Sequence, residues 1–216
     1  MRPSLHVVPL AVAALLSAAC GEKPKPEPVP APRAAVTSPA APEETAGEAV
    51  AAIETSEGNI VLRFFAADAP KTVAEFKRLA GRSFYQGTTF HRVIPDRLIQ
   101  GGDPLSRDRD PYNDGTGNSG IFLPPEFNRR PFKRGTVGLA RGPDPNSGSC
   151  QFFISLSRNP AWDGNYTAFA EVIEGIEVAD AISRAQTNPK ALPQLRERPI
   201  REQLIKTIRL ERRKVG

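Results

Sequence analysis

The sequence predicts a mainly β protein, an antiparallel barrel capped at its ends by two helices. Short runs rich in β-branched and aromatic residues recur along the chain, and Gly, Pro and Asp-rich connections separate them. Only two segments space their apolar residues as an amphipathic helix does. Many short strands with two helices suggest an antiparallel barrel capped at its ends.

The predicted elements follow from local signals, taken in chain order. Residues 50–55 and 59–65 are joined by the turn sequence SEG and predict a hairpin. Pro70 opens a helix with apolar residues at helical spacing, and Gly81 ends it. The remaining predicted strands are 88–94, 98–100, 136–140, 151–156, 168–173 and a closing strand at 204–210, with a second helix at 176–185.

The N-terminus predicts export. Residues 1–19 carry Arg2, an apolar run and three small residues, which is typical of a secretory signal peptide too short to span a bilayer. The stretch LLSAAC resembles the lipobox of bacterial lipoproteins, which implies that Cys20 is acylated and anchors the protein to a membrane. Ordinary cleavage and release of an exported protein, into the periplasm or at the cell envelope, is the alternative.

Residues 20–48 predict a linker rich in Pro and Ala. Residues 21–48 hold seven of the 22 prolines and no aromatic residue, so they cannot bury a core and should form an extended spacer. The folded domain is predicted at 49–213. Because Cys150 is the one cysteine in it, no disulfide can form within the domain, and a metal site built from His and Cys is not expected.

The net charge of +5 is concentrated at the C-terminus, where residues 196–216 carry eight Lys or Arg against three Asp or Glu. A charged edge strand with a solvated end explains this pattern. We therefore do not predict binding to nucleic acid.

Arg92 draws attention because it lies on an otherwise apolar predicted strand. Alternation would put Phe90, Arg92 and Ile94 on one face of the strand, with His91 and Val93 on the other. Taken alone, such an arginine is best explained by an ion pair with a nearby carboxylate at the rim of the barrel.

Five further stretches change that interpretation. The runs DAPKTVAEFKRLAGRSFYQGTTFHRVIP, QGGDP, GTVGLAR, DPNSGSCQFFISL and DGNYTAFAEVIEG resemble, in order, the signatures of a cyclophilin-type peptidyl-prolyl cis-trans isomerase. The resemblance extends from about residue 50 to 210. It implies an eight-stranded closed antiparallel barrel that isomerises X-Pro bonds as a monomer, without a cofactor.

The resemblance also implies the site residues. Arg92 matches the catalytic arginine, whose guanidinium would hydrogen-bond the prolyl amide as it twists. Matching substrate-binding positions are Leu98, Gln100, Ala140, Arg141, Gln151, Phe153 and Tyr166.

The sequence departs from the family at three positions of this pocket. Arg97 stands where phenylalanine is usual and Trp162 where leucine is usual, and both are expected to line the proline pocket. Ala161 replaces an aromatic residue that cyclosporin contacts, which implies weak inhibition by that drug.

These observations predict an exported isomerase that acts on proline-containing segments of unfolded or flexible proteins. The alternative is a proline-peptide binding or chaperone module with little turnover, because Arg97 replaces a wall of the pocket. A third hypothesis is a surface interaction lipoprotein that uses the barrel as a scaffold. A nucleophilic Cys150–His91 pair is disfavoured because no hydrolase motif surrounds either residue.

Overall fold

The structure, a computed structural model, describes residues 47–108 and 110–214. The predicted signal peptide, Cys20 and nearly all of the predicted linker lie outside the described residues. The strands are β1 Glu48–Thr55, β2 Asn59–Phe64, β3 Arg92–Ile94, β4 Leu98–Gly101, β5 Thr136–Leu139, β6 Phe152–Ser155, β7 Ala168–Glu174 and β8 Ile205–Arg213. The helices are α1 Pro70–Gly81 and α2 Ile176–Ser183, and short 3-10 turns lie at Pro104–Arg107, Pro145–Ser147, Pro160–Trp162 and Pro193–Leu195.

The eight strands form one antiparallel sheet in the order β3-β4-β6-β5-β7-β2-β1-β8. The number of strands and their antiparallel pairing confirm the prediction, but the closed barrel was wrong, because the sheet is a curled half-barrel. Among the described residues its two end strands, β3 and β8, do not pair with each other, and an isolated bridge joins Thr89 and Leu204, which precede them. On β3, the Val93 N–H donates to the Glu197 carbonyl at 2.7 Å, so the loop before β8 occupies the edge that closure would require.

The core lies on the concave side of the sheet, under α1. Proline at the first helical position begins α1, and the helix buries Val73, Phe76 and Leu79. Phe76 packs at the centre of an aromatic cluster, with ring centroids between 5.1 and 5.9 Å from those of four neighbours, Phe64, Tyr85, Phe152 and Phe169. Within residues 47–108 and 110–214, no helix has the length and hydrophobicity needed to cross a bilayer.

The predicted strand at 88–94 begins later than expected. β3 starts only at Arg92, and Phe90 is fully buried in the same core cluster as Val93. The placement of Phe90 on the face of Arg92 was therefore wrong. Strict alternation fails here because residues 90 and 91 are not in a strand.

Gly175 joins β7 to α2 and has no room for a side chain. Its φ is +79°, and a Cβ there would lie 2.0 Å from the Asn59 carbonyl oxygen. Gly164 has a similar φ of +66°, but no heavy atom lies within 4 Å of its Cβ position. A comparison of Gly164 with Gly175 therefore separates the cost of a left-handed backbone from the cost of a steric overlap.

We expect Gly164→Ala to lower the free energy of unfolding by about 1 kcal/mol, the strain of a left-handed residue. Gly175→Ala should cost about 3 kcal/mol or more, because the overlapping carbonyl belongs to the backbone of β2 and cannot rotate away. Urea denaturation of both variants measures the difference. Equal losses would contradict the close approach of β2 to this turn.

Candidate functional site

The site is built on one row of residues that crosses the sheet. Arg92 on β3 pairs with Gln100 on β4, Gln100 pairs with Phe153 on β6, and Phe153 pairs with Gly138 on β5. Directly opposed residues in antiparallel strands project to the same face. The register alone therefore brings a guanidinium, an amide and an aromatic ring together on the face opposite the main core.

Phe153 forms the floor of this site, and its ring lies flat because β5 offers no side chain beneath it. A Cβ on Gly138 would be 2.4 Å from Cζ of Phe153 and 2.8 Å from Cε1 of Phe132. Phe132 stacks on Phe153 with centroids 5.6 Å apart and planes inclined by 19°. The sequence reasoning missed both Gly138 and Phe132, although a glycine inside a strand often marks a close approach.

A pocket of 190 Å³ opens above Phe153. Nine of the ten residues expected at the site line it, namely Arg92, Arg97, Leu98, Gln100, Ala140, Arg141, Phe153, Trp162 and Tyr166. The tenth, Gln151, lies in an adjoining cavity of 350 Å³ that shares Gln100, Ala140 and Arg141 with the first. The structure thus brings all ten residues to one continuous surface depression.

Arg92 is held by a carboxylate that the sequence reasoning did not identify. Its Nε donates to Glu197 Oε2 at 2.5 Å, and its Nη1 approaches Gln100 Oε1 at 3.4 Å. Both side chains of the ion pair are 44% exposed, so the pair should contribute at most about 1 kcal/mol to stability. The ion pair expected for an isolated arginine is present, but it orients the guanidinium more than it stabilises the fold.

A chain of amide hydrogen bonds supports Arg92 from the other side. Gln100 Nε2 donates to Gln151 Oε1 at 3.1 Å. Gln151 Nε2 in turn donates to the carbonyl oxygens of Gly115 and Gly117 at 3.0 and 2.8 Å. Because these carbonyls can only accept, the chain turns the Gln100 oxygen towards Arg92. Within the described part of the chain, Nη2 of Arg92 makes no hydrogen bond and remains available to a ligand.

Arg97 borders the pocket without filling it. Its guanidinium carbon lies 5.8 Å from the centroid of the Trp162 ring. Trp162 packs edge-on against Phe153 with centroids 5.1 Å apart, and Tyr166 does the same at 5.5 Å. Two aromatic rings therefore pack beside the floor, and they line the pocket together with the arginine at position 97.

Cys150 and His91 do not form a reactive pair. Cys150 is buried in the core, and this burial raises the pKa of its thiol to about 12, so the nucleophilic thiolate is suppressed. Burial also lowers the pKa of His91, and the described residues provide no hydrogen-bond partner for either ring nitrogen. Cys150 therefore packs as a small core residue.

Known proteins share both the sequence and the fold of this chain. Residues 50–210 match the family described as "Cyclophilin type peptidyl-prolyl cis-trans isomerase/CLD". A Brucella abortus protein named "Probable peptidyl-prolyl cis-trans isomerase" is 39% identical over 137 residues, which cover 61% of this chain and 70% of the relative. A Helicobacter pylori peptidyl-prolyl cis-trans isomerase is 39% identical over 146 residues, which cover 66% and 85% of the two chains.

A solved structure agrees with these relatives. The Cryptosporidium parvum cyclophilin-type isomerase, crystallised in the presence of the dipeptide Ala-Pro, aligns with a TM-score of 0.67 at 27% identity over 76% of this chain and 99% of that one. The match to the family spans most of the chain and includes every strand pairing that forms the pocket. This chain therefore belongs to the family of cyclophilin-type peptidyl-prolyl cis-trans isomerases.

Proposed function

We propose that this isomerase rotates X-Pro bonds in the pocket above Phe153, with Arg92 as the catalytic residue. The observation that carries the proposal is the row of Arg92, Gln100 and Phe153, which sets a fixed charged donor beside an apolar floor. A proline ring can pack on Phe153 while its carbonyl lies within reach of the guanidinium.

The chemistry of rotation explains why such a site suffices. Twisting the amide costs about 18–20 kcal/mol because the bond gives up its resonance, and no covalent bond forms or breaks. The site needs a donor whose contact strengthens in the twisted state and a surface that holds the ring. An acceleration of about 10⁵-fold would require roughly 7 kcal/mol of such differential stabilisation. No cofactor enters this scheme.

The ligand class follows from the same geometry. The pocket is lined by three aromatic rings, those of Phe153, Trp162 and Tyr166, which suit an apolar pyrrolidine ring. The Cryptosporidium parvum relative was crystallised with Ala-Pro, which supports proline-containing segments as ligands here. We propose unfolded or flexible proteins as the source of these segments, with the isomerase acting as a monomer.

We further propose that the protein works outside the cytoplasm. The support is in the sequence, where residues 1–19 have the composition of a signal peptide and Cys20 ends a lipobox-like stretch. A lipid at Cys20 would attach the folded part to a membrane through the Pro-rich spacer; Pro-rich linkers in general span roughly 3 Å per residue. The clients would then be exported proteins that fold in the periplasm or at the cell envelope.

A second candidate function is favoured by Arg97. A guanidinium at the edge of the pocket, 5.8 Å from Trp162, could weaken the grip on the proline ring and leave a binding or chaperone module with little turnover. The same side chain can also cover apolar surface with its methylene groups while its charge faces water. These two effects predict opposite results for the variant Arg97→Phe.

Arg92→Ala should lower kcat/KM for an X-Pro peptide by about 10²- to 10³-fold, as loss of a transition-state donor does. Its melting temperature should change little, because the Arg92–Glu197 pair is half exposed. Exchange NMR on the peptide and a thermal melt measure both effects. Arg209→Ala, which removes the ion pair between Arg209 on β8 and Glu54 on β1, is the matched control. Normal turnover by Arg92→Ala would exclude Arg92 as the catalytic residue.

Arg97→Phe separates the enzyme from the binding module. If the pocket already grips proline, kcat/KM for an uncharged X-Pro peptide should change by less than about threefold, which corresponds to under 0.7 kcal/mol. The same exchange experiment measures it. A slow natural protein together with a more than tenfold gain in the variant would favour the binding module.

Cys20→Ser should release the protein from membranes, because the acylated side chain would be absent. Fractionation of cells that express the natural chain and the variant measures this release. If the variant remained with the membranes, the basic C-terminal residues would have to hold the protein there instead.

A further inference from the structure

Three guanidinium groups line the proposed proline pocket, and they differ in whether an acidic side chain pairs with them. Arg92, Arg97 and Arg141 all contribute to its wall. Arg92 has a carboxylate partner in Glu197. Within residues 47–108 and 110–214, no ion pair joins Arg97 or Arg141 to an acidic side chain.

Arg141 is held by neutral groups. Its Nη2 donates to the Asn165 carbonyl at 2.8 Å and its Nη1 to the Gly142 carbonyl at 2.9 Å. The guanidinium carbon lies 4.8 Å from the centroid of the Tyr166 ring. These contacts fix the position of the group without cancelling its charge.

The acidic residues next to Arg97, to Arg141 or to the Trp162 ring make their contacts elsewhere. Asp96, next to Arg97, pairs with Arg184 at 2.6 Å. Asp163, next to Trp162, pairs with Arg158. Asp144 accepts the backbone N–H of Asn146 at 2.9 Å and caps a 3-10 turn.

The two arginines without an acidic partner pack on two different rings beside the pocket floor. Arg97 lies against Trp162 and Arg141 against Tyr166, and each ring packs on Phe153. A peptide whose proline rests on Phe153 would therefore extend past at least one guanidinium. A carboxylate on that peptide would gain an ion pair without displacing an existing one, since the described residues hold these two guanidinium groups by rings and carbonyls and not by acidic side chains.

We propose that Arg97 and Arg141 make this isomerase selective for acidic proline segments, in which Glu or Asp immediately precedes or follows the proline. This inference rests on the proposed function and names its substrate class. It also gives the arginine at position 97 a role, since a phenylalanine there could hold the ring but could not attract a carboxylate.

The test uses the full chain and two pairs of capped peptides, which differ only by Glu or Gln before the proline, or only by Glu or Gln after it. NMR titration gives Kd, and exchange NMR on the same samples gives turnover. At low ionic strength, at least one Glu peptide should bind about fivefold more tightly than its Gln partner, as expected for about 1 kcal/mol from an exposed ion pair. In about 1 M NaCl the ratio should fall below about twofold, because salt screens exposed charges.

Arg97→Gln or Arg141→Gln should reduce the preference, whereas Arg209→Gln, on the distant β8 strand, should retain it. Equal Kd values within both peptide pairs for the natural protein, or a preference that survives 1 M salt and both substitutions, would overturn the inference. The salt titration uses the natural protein alone, so this part of the test remains valid even if a substitution impairs folding. Equal binding with normal turnover would refute only the selectivity, whereas selective binding without turnover would refute only the catalysis.

Discussion

The register between β3, β4, β6 and β5 is the constraint on which the site depends. It aligns Arg92, Gln100, Phe153 and Gly138 in one row across the sheet. A slip of one residue in β6, for example, would turn Phe153 into the core and replace it by Phe152 or Ile154. The main core enforces the register, because Ile99 and Phe152, beside the row, are fully buried on the other face.

The contacts around Arg92 matter more for the orientation of its guanidinium than for the stability of the fold. Glu197 and Gln100 each take one nitrogen of Arg92, and the amide chain through Gln151 ends on fixed backbone carbonyls. The half-exposed pair of Arg92 and Glu197 should contribute little to folding. These contacts restrict the rotamers of a long side chain, so that its remaining donor is in place before a peptide binds.

Much of this arrangement could be predicted from the sequence, because it depends on local patterns and long motifs. The hairpin and α1 follow from a turn sequence and helical spacing, whereas the pocket residues were expected from the resemblance of the runs around Arg92 and Phe153 to the family. Three features were not predicted. The open edge between β3 and β8 depends on which distant segments pair, and strand patterns carry no information on that. Glu197 lies 105 residues from Arg92, in a loop without periodicity. Gly138 and Phe132 matter only because a ring from another strand packs on them.

The most direct test of the account is a crystal structure of the protein with a bound X-Pro peptide. The account predicts the proline ring on Phe153 and an Arg92 Nη atom within about 2.7–3.2 Å of the prolyl carbonyl oxygen, the range of a hydrogen bond. Glu197 should still hold Nε in that complex. A peptide seated with its proline away from Phe153, or an Arg92 that contacts only Glu197 and Gln100, would contradict the claim that this row performs the isomerisation.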